Sequence, residues 1–383
     1  HRIPLRLEHV GSARRAPSRP PRYVSNQTTL DKPQALRYKR GMRRPSRPPI
    51  HLSLLSLPLI LPLIALGATG VFLANAVWGE DLRHPFGVML DGSGLDTPTR
   101  IATARELGVG IFRPWDIILD EWTGRHGDTE AFLKAGFTII MTVRNNGKGG
   151  PPPKPTSPPK DLDAYKKTLG EVIETYRPEL LVVEHEENSG LYYLGTPKQY
   201  GAELKAACEV AHSKGIACTN GGMESSLVAT LVWSRYRDRH EAAKAEDFLR
   251  RTSAQSQQRM LRTIDGQRRI GEAITKGKAL LAEYKAAGID YVNFHWYIPD
   301  PTALAETVVL LKAATGLQPI TNEIGLHDED PATVARLMAK VLELRLPYAL
   351  WFSLDRPDAR ALHNPDGTLR ATGLAFKKFV QEK

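Results

Sequence analysis

Eight short apolar runs, each followed by a longer segment of mixed polarity, set the strongest constraint on how this chain folds. The runs are FGVML (86–90), VGIFR (109–113), FTIIMTV (137–143), LLVVEHE (180–186), GIACTN (215–220), YVNFHWY (291–297), PITNE (319–323) and YALWFSL (348–354). Runs of this length, rich in Val and Ile, fit strands buried on both faces. The segments between them, such as TPTRIATAREL (97–107) and PATVARLMAKVLEL (331–344), have the pattern of helices. Eight alternations over about 300 residues match an α/β fold of the (β/α)8, or TIM-barrel, type. A doubly wound sheet usually has fewer strands and often a Gly-rich first turn.

Two stretches interrupt the alternation. NNGKGGPPPKPTSPPKD (145–161) reads as a stiff extended loop after the third run. Residues 224–284 read as a charged, mostly helical excursion after the fifth run, placed to flank a cleft.

The net charge of +10 suggests a nucleic-acid partner until its placement is considered. Residues 1–50 carry 13 Lys and Arg against 2 Asp and Glu, and the remaining chain 39 against 40. The folded part is thus neutral, and no nucleic-acid partner is expected. Residues 1–50 form a basic Arg/Pro-rich tail with the composition of a disordered segment. From Met42 a basic region leads into residues 52–79, which carry no charge and pass through a small-x-small site at Ala74-Asn75-Ala76. That layout fits a signal peptide over 51–76, followed by a barrel over 77–383. The same stretch is long enough to stay in a bilayer as a signal-anchor. Either way the barrel is expected outside the cytoplasm: secreted or periplasmic in the first case, membrane-anchored in the second. The two cysteines, Cys208 and Cys218, read as two small buried thiols. The metal-binding, nucleotide-binding and serine-hydrolase patterns are absent.

In a barrel of this kind the C-terminal strand ends build the site. Arg113 ends the second run, Glu184-His185-Glu186-Glu187-Asn188 the fourth, and Asn220 the fifth. His295-Trp296-Tyr297 ends the sixth, Asn322-Glu323 the seventh, and Trp351 lies in the eighth. Charges are rarely buried without a partner, so two carboxylates at strand ends call for ion pairs or for chemistry. Trp115, Trp122, Tyr192, Tyr193 and Trp233 are aromatics able to stack on sugars.

HEEN (185–188) resembles the acid/base motif, and TNEIG (321–325) the nucleophile motif, of the large clan of retaining glycoside hydrolases built on (β/α)8 barrels. FRPW (112–115), FHWY (294–297) and LWFSLD (350–355) are similar to that clan's Arg, His/Tyr and Trp segments. The resemblance spans roughly residues 84–380. It implies Glu186 as acid/base and Glu323 as nucleophile, with Arg113, His185, Asn220, His295, Tyr297 and Trp351 around a carbohydrate substrate. Neither metal nor organic cofactor is implied. His185 stands where the clan has an Asn that contacts the sugar 2-hydroxyl, and imidazole also hydrogen-bonds a hydroxyl. Glu184 and Glu187 are the rivals of Glu186 within the motif. The reading is an exported glycosidase acting on a β-linked glycan or oligosaccharide with retention. Its alternatives are a carbohydrate-binding barrel without activity and an anchored cell-wall-associated module.

If 51–76 is removed on export, the mature protein begins near Val77. N-terminal sequencing of secreted material checks this, and recovery of Leu52–Ala76 in the membrane fraction selects the anchor instead.

Overall fold

The structure is a computed structural model that describes residues 84–92, 95–146, 155–327, 329–355 and 361–382. The basic tail, the signal-like segment and residues 147–154 of the Pro-rich loop lie outside the described residues. All eight apolar runs are strands: β1 (Phe86–Gly92), β2 (Ile111–Phe112), β4 (Thr138–Arg144), β5 (Leu180–Val183), β6 (Ala217–Asn220), β7 (Tyr291–Trp296), β8 (Gln318–Ile324) and β9 (Ala349–Asp355). A further two-residue strand, β3 (Ile117–Ile118), pairs with β4 outside the ring. The ring closes in the order β1-β2-β4-β5-β6-β7-β8-β9, with β1 paired in parallel to both β2 and β9. The chain is a TIM barrel.

Helices α1 (Thr97–Glu106), α2 (Gly127–Lys134), α3 (Leu162–Tyr176), α4 (Pro197–Ser213), α9 (Pro301–Thr315), α10 (Pro331–Glu343) and α11 (Ala371–Gln381) follow the strands. Their starts are written into the sequence. Asp300-Pro301 and Asp330-Pro331 each place a capping carboxylate before a proline, with Asp300 accepting from Ala303 N and Asp330 from Ala332 N. Thr196 and Gln199 cap α4 reciprocally. Such caps satisfy amides that the first helical turn leaves open, and Pro at the start needs none. The excursion between β6 and β7 contains four helices: α5 (Ser225–Asp238), α6 (Ala242–Thr252), α7 (Gln255–Met260) and α8 (Ile264–Ala287).

Strand parity divides the core in two. Ile111, Ile140, Leu180, Val182, Ile320 and Leu350 form an apolar plug inside the ring. Side chains of opposite parity, among them Val88, Cys218, Phe294 and Trp351, belong to the larger layer between sheet and helices. The plug supports a layer of amides toward the C-terminal ends, where Asn293 Nδ2 donates to Asn322 Oδ1 (2.7 Å) and to Asn220 O (3.1 Å).

β8 breaks the alternation. Asn293 pairs with Ile320 and His295 with Glu323, so β8 spends three residues where β7 spends two. On the other side Thr321 pairs with Ala349 and Ile324 with Trp351, again three against two. The extra residue is a β-bulge, which re-aims the side chains beyond it. Ile320, Asn322 and Glu323 all turn toward the interior, and that is why a buried strand ends on a carboxylate.

The two cysteines depart from the expected pair of thiols. Cys208 on α4 and Cys218 on β6 are bonded, with their Cα atoms 5.3 Å apart. Ten residues apart in sequence, they meet because α4 runs back antiparallel over the strand that follows it. Closing a loop of this length contributes about 2–3 kcal/mol through the unfolded chain. Urea denaturation with and without reductant measures that difference, and identical midpoints would show that the bond adds nothing.

Candidate active site

Glu323 lies at the centre of the barrel mouth and is 3% exposed. Arg113 Nη1 donates to its Oε1, and Tyr297 OH donates to its Oε2 at 2.7 Å. Burial by itself pushes this carboxyl up. The charges of His295, Arg113 and His185 and the Tyr297 hydroxyl outweigh burial and hold it far below the ordinary carboxylate range. Glu323 is therefore an ionised carboxylate in a site of low polarity.

The HEEN segment assigns three carboxyls to three environments. β5 ends at Val183, and both Glu184 (φ 68°) and Glu186 (φ 41°) take the left-handed conformation. That conformation costs a non-glycine residue roughly 1–2 kcal/mol, and it cancels the strand parity that made Glu184 and Glu186 look equivalent. Glu184 is fully buried, accepting from Asn145 N (2.6 Å) and from the Thr156 hydroxyl, and so ties down both described ends of the Pro-rich loop. Glu187 is also fully buried, taking bonds from Asn220 Nδ2 (3.0 Å) and the Tyr284 hydroxyl of α8. Glu186 alone of the three reaches the mouth, where its Oε1 lies 2.8 Å from His295 Nδ1.

His295 stands between the two mouth carboxylates. Its Nδ1 is 2.8 Å from Glu186 and 3.3 Å from Glu323 Oε2, while Nε2 lies 3.1 Å from Asn322 Oδ1. That amide oxygen can only accept, so Nε2 carries a proton and Nδ1 faces both carboxylates. Burial lowers the imidazole pKa, but Glu323 and Glu186 raise it by more. The imidazole is therefore favoured in its charged form, with Nδ1 within hydrogen-bond reach of Glu186. His185 is placed differently. Arg113 Nη2 donates to its Nδ1 at 3.3 Å, which puts the neutral ring's proton on Nε2, and burial holds this imidazole below its ordinary range.

Two expected residues are elsewhere. Trp351 has the outward parity of β9 and packs edge-on against Phe376 of α11 at 5.8 Å. Phe352, one residue on, faces Tyr297 at 6.1 Å instead. Asn220 shares the face of Cys218 on β6, and its side chain is consumed by Glu187 and by the Asn293 backbone (2.9 and 2.7 Å). Of the aromatics, Tyr193 is buried with its hydroxyl on Glu203 (2.7 Å), and Tyr192 packs on the His185 ring at 4.5 Å.

The structure adds residues that strand-end reasoning passed over. Asn322 and Asn293 orient His295. Gly222 takes φ 99°, and a Cβ there would lie 2.2 Å from His295 Nε2, so the ring's place depends on glycine. The Asn220-Gly221-Gly222 triplet was the readable signal. Glu224, at the start of α5, exchanges hydrogen bonds with Asn188: its N donates to Oδ1 (3.0 Å) and its Oε2 accepts from Nδ2 (2.7 Å). Burial, then the charge of Glu186, keeps the Glu224 carboxyl above its ordinary range.

The ligating atoms of His185, Glu186, His295 and Glu323 all lie within 4.8 Å of one another. As a donor set they are numerous enough for a divalent cation. Arg113, however, occupies both Glu323 Oε1 and His185 Nδ1, setting a fixed positive charge where the ion would need those lone pairs.

No protein-family model matches the chain, and no curated protein does. Solved structures similar to it include a GH128 (subgroup II) endo-β-1,3-glucanase from Pseudomonas viridiflava, with TM-score 0.47 and 15% identity, covering 76% of this chain and 96% of that one. A variant GH128 (subgroup I) endo-β-1,3-glucanase from Amycolatopsis mediterranei, in complex with laminarihexaose, has TM-score 0.46 and 12% identity over 77% and 99%. A GH128 (subgroup VII) oligosaccharide-binding protein from Trichoderma gamsii has TM-score 0.41 and 12% identity over 78% and 96%. Likenesses this distant say nothing of what the chain binds or does.

Below the mouth, Glu184 adjoins a second buried carboxyl, Glu203. Burial pushes Glu184 up to about 7, against the bonds from Thr156 and Asn145, and raises Glu203 as well. Folding therefore favours the protonated form. The stability this gives is complete below the ordinary Glu range and is lost as pH rises through about 7. Thermal melts at pH 5 and pH 8 should show the wild type losing several degrees more than Glu184→Gln over that interval. Equal losses would remove Glu184 as the source.

Proposed function

We propose that the chain is an exported glycoside hydrolase that cleaves a β-linked glycan or oligosaccharide by retaining double displacement. One observation carries the reading: an ionised, buried Glu323 and a partly open Glu186 have oxygens within 4.8 Å of each other at the mouth of a TIM barrel. Retaining pairs stand about 5–5.5 Å apart, whereas inverting pairs leave room for water at ~6.5–9.5 Å.

In this reading Glu323 attacks the anomeric carbon while Glu186 donates its proton to the leaving oxygen. Arg113 and Tyr297 hold Glu323 in place and favour its charge. His295 Nδ1, 2.8 Å from Glu186, supplies the proton that Glu186 carries into the first step, and Glu186 takes one from water in the second. The Nε2–H of His185 is a donor suited to a sugar hydroxyl beside the nucleophile. Export is supported by the signal-like layout of 51–76 and by the Cys208–Cys218 bond, which fits an oxidising compartment. The tail at 1–50 and the barrel at 77–383 complete this organisation, with retention of 52–79 in a membrane as its variant.

Azide separates the two roles. With an activated aryl glycoside, Glu186→Ala should form the glycosyl-enzyme but hydrolyse it slowly, and azide should restore turnover with a β-glycosyl azide as product. Glu323→Ala has no nucleophile, so azide attacks from the opposite face and gives the inverted azide. Each substitution should cost on the order of 10²–10⁴-fold without azide. NMR assigns the products. Near-parental rates in both variants would refute the roles given to Glu186 and Glu323, and no turnover by the parent across a panel of aryl glycosides would leave a binding barrel.

A further inference from the structure

A cavity of about 690 Å³ opens from the mouth beside Glu186. It begins at Glu186, Glu224 and Tyr297 and extends between the helices of the excursion to Trp233, Leu261 and Ile270; Glu323 is not part of its lining. The volume is that of a small-molecule site.

Its polarity changes with depth. At the entrance Ser225 Oγ donates to His295 O (3.1 Å) and accepts from Tyr297 N (3.0 Å). Trp233 lies eight residues further along α5, roughly 12 Å at 1.5 Å per residue. There the walls are hydrocarbon: Trp233, Leu249, Leu261 and Ile270 are each only partly buried, and Met260 is 50% exposed. Side chains of this kind normally complete a core, and a set of them left open marks a surface awaiting an apolar occupant.

Several polar side chains in the same walls are already engaged. Arg251 is held by Asp247, Asp300 and Glu306 at 2.8–2.9 Å. The Thr230 and Thr252 hydroxyls donate to Ser226 O (2.7 Å) and Phe248 O (2.8 Å), and Gln257 Oε1 accepts from Ala254 N (2.9 Å). A second sugar needs partners for several hydroxyls, and these groups offer it few. The Trp233 indole N–H has no partner, which leaves one donor for a single acceptor on the occupant.

We propose that this cavity receives the leaving group and that the leaving group is an apolar aglycone, alkyl or aryl, rather than another sugar. The direction of departure rests on the glycosidase reading: the acid protonates the oxygen joining sugar to leaving group, and the cavity adjoins Glu186 and not Glu323. The apolar character of the cavity stands apart from that reading.

The experiment uses alkyl β-D-glucosides from methyl to octyl, below their micellar concentrations, titrated calorimetrically into Glu323→Gln. In parallel, 1-octanol alone is titrated against intrinsic tryptophan fluorescence. Affinity should rise up to about fourfold for each methylene buried. Leu261→Asp should abolish that rise and the 1-octanol response, and Ile270→Trp, which fills the cavity instead of charging it, should weaken the octyl compound. Equal affinities for methyl and octyl glucosides, or a chain-length dependence that survives both substitutions, would overturn the proposal. If 1-octanol binds in a Leu261-dependent way while the wild-type protein cleaves none of a panel of aryl β-glycosides, the apolar cavity stands and the glycosidase reading falls.

Discussion

The mouth of the barrel depends on one buried ion pair, Arg113 with Glu323. Both side chains are almost inaccessible to water, and burying two charges costs more than their attraction is certain to return. The pair is therefore better understood as fixing a charge than as stabilising the fold. Arg113 meets Glu323, Asp116 and His185 together, so its planar fork sets the positions of three neighbours. Removing either partner would leave an uncompensated charge, a loss of roughly 3–5 kcal/mol in buried pairs. Every other polar group at the mouth is arranged around that fixed charge.

His295 illustrates the arrangement. Its Nε2–H is committed to the Asn322–Asn293 amide layer, so Nδ1 has no choice but to face the carboxylates. The apolar plug lies beneath these amides, and Gly222 leaves the ring space that any Cβ there would take. The result is two carboxylates side by side on one imidazole, Glu323 held ionised by its neighbours and Glu186 hydrogen-bonded to Nδ1.

The fold was legible because a TIM barrel repeats one signal eight times: a buried strand, then a helix. β3 escaped notice because two residues carry no period. The site was legible where strand parity holds to the end, as for Arg113 after Phe112 and His295 and Tyr297 on either side of Trp296. It failed where position in a motif was preferred to parity: Trp351 and Asn220 both face outward, and their alternation with Leu350 and Thr219 could have revealed it. Other features had no local signal. The left-handed turns at Glu184 and Glu186 and the bond between Cys208 and Cys218 arise only when the fifth strand, α4 and the loops are packed together.

The bulge in β8 has a genetic consequence. Because a strand alternates its faces, removing one residue from 321–323 would bring β8 back into phase with β7 and β9. With Thr321 or Asn322 removed, Glu323 would stand two residues after Ile320, still facing the interior opposite His295, but the strand could no longer turn Asn322 and Glu323 inward together. An in-frame deletion of the Asn322 codon would thus keep the charge at the mouth while removing the amide that holds His295 Nε2. The site is inherited as a length as much as a set of side chains.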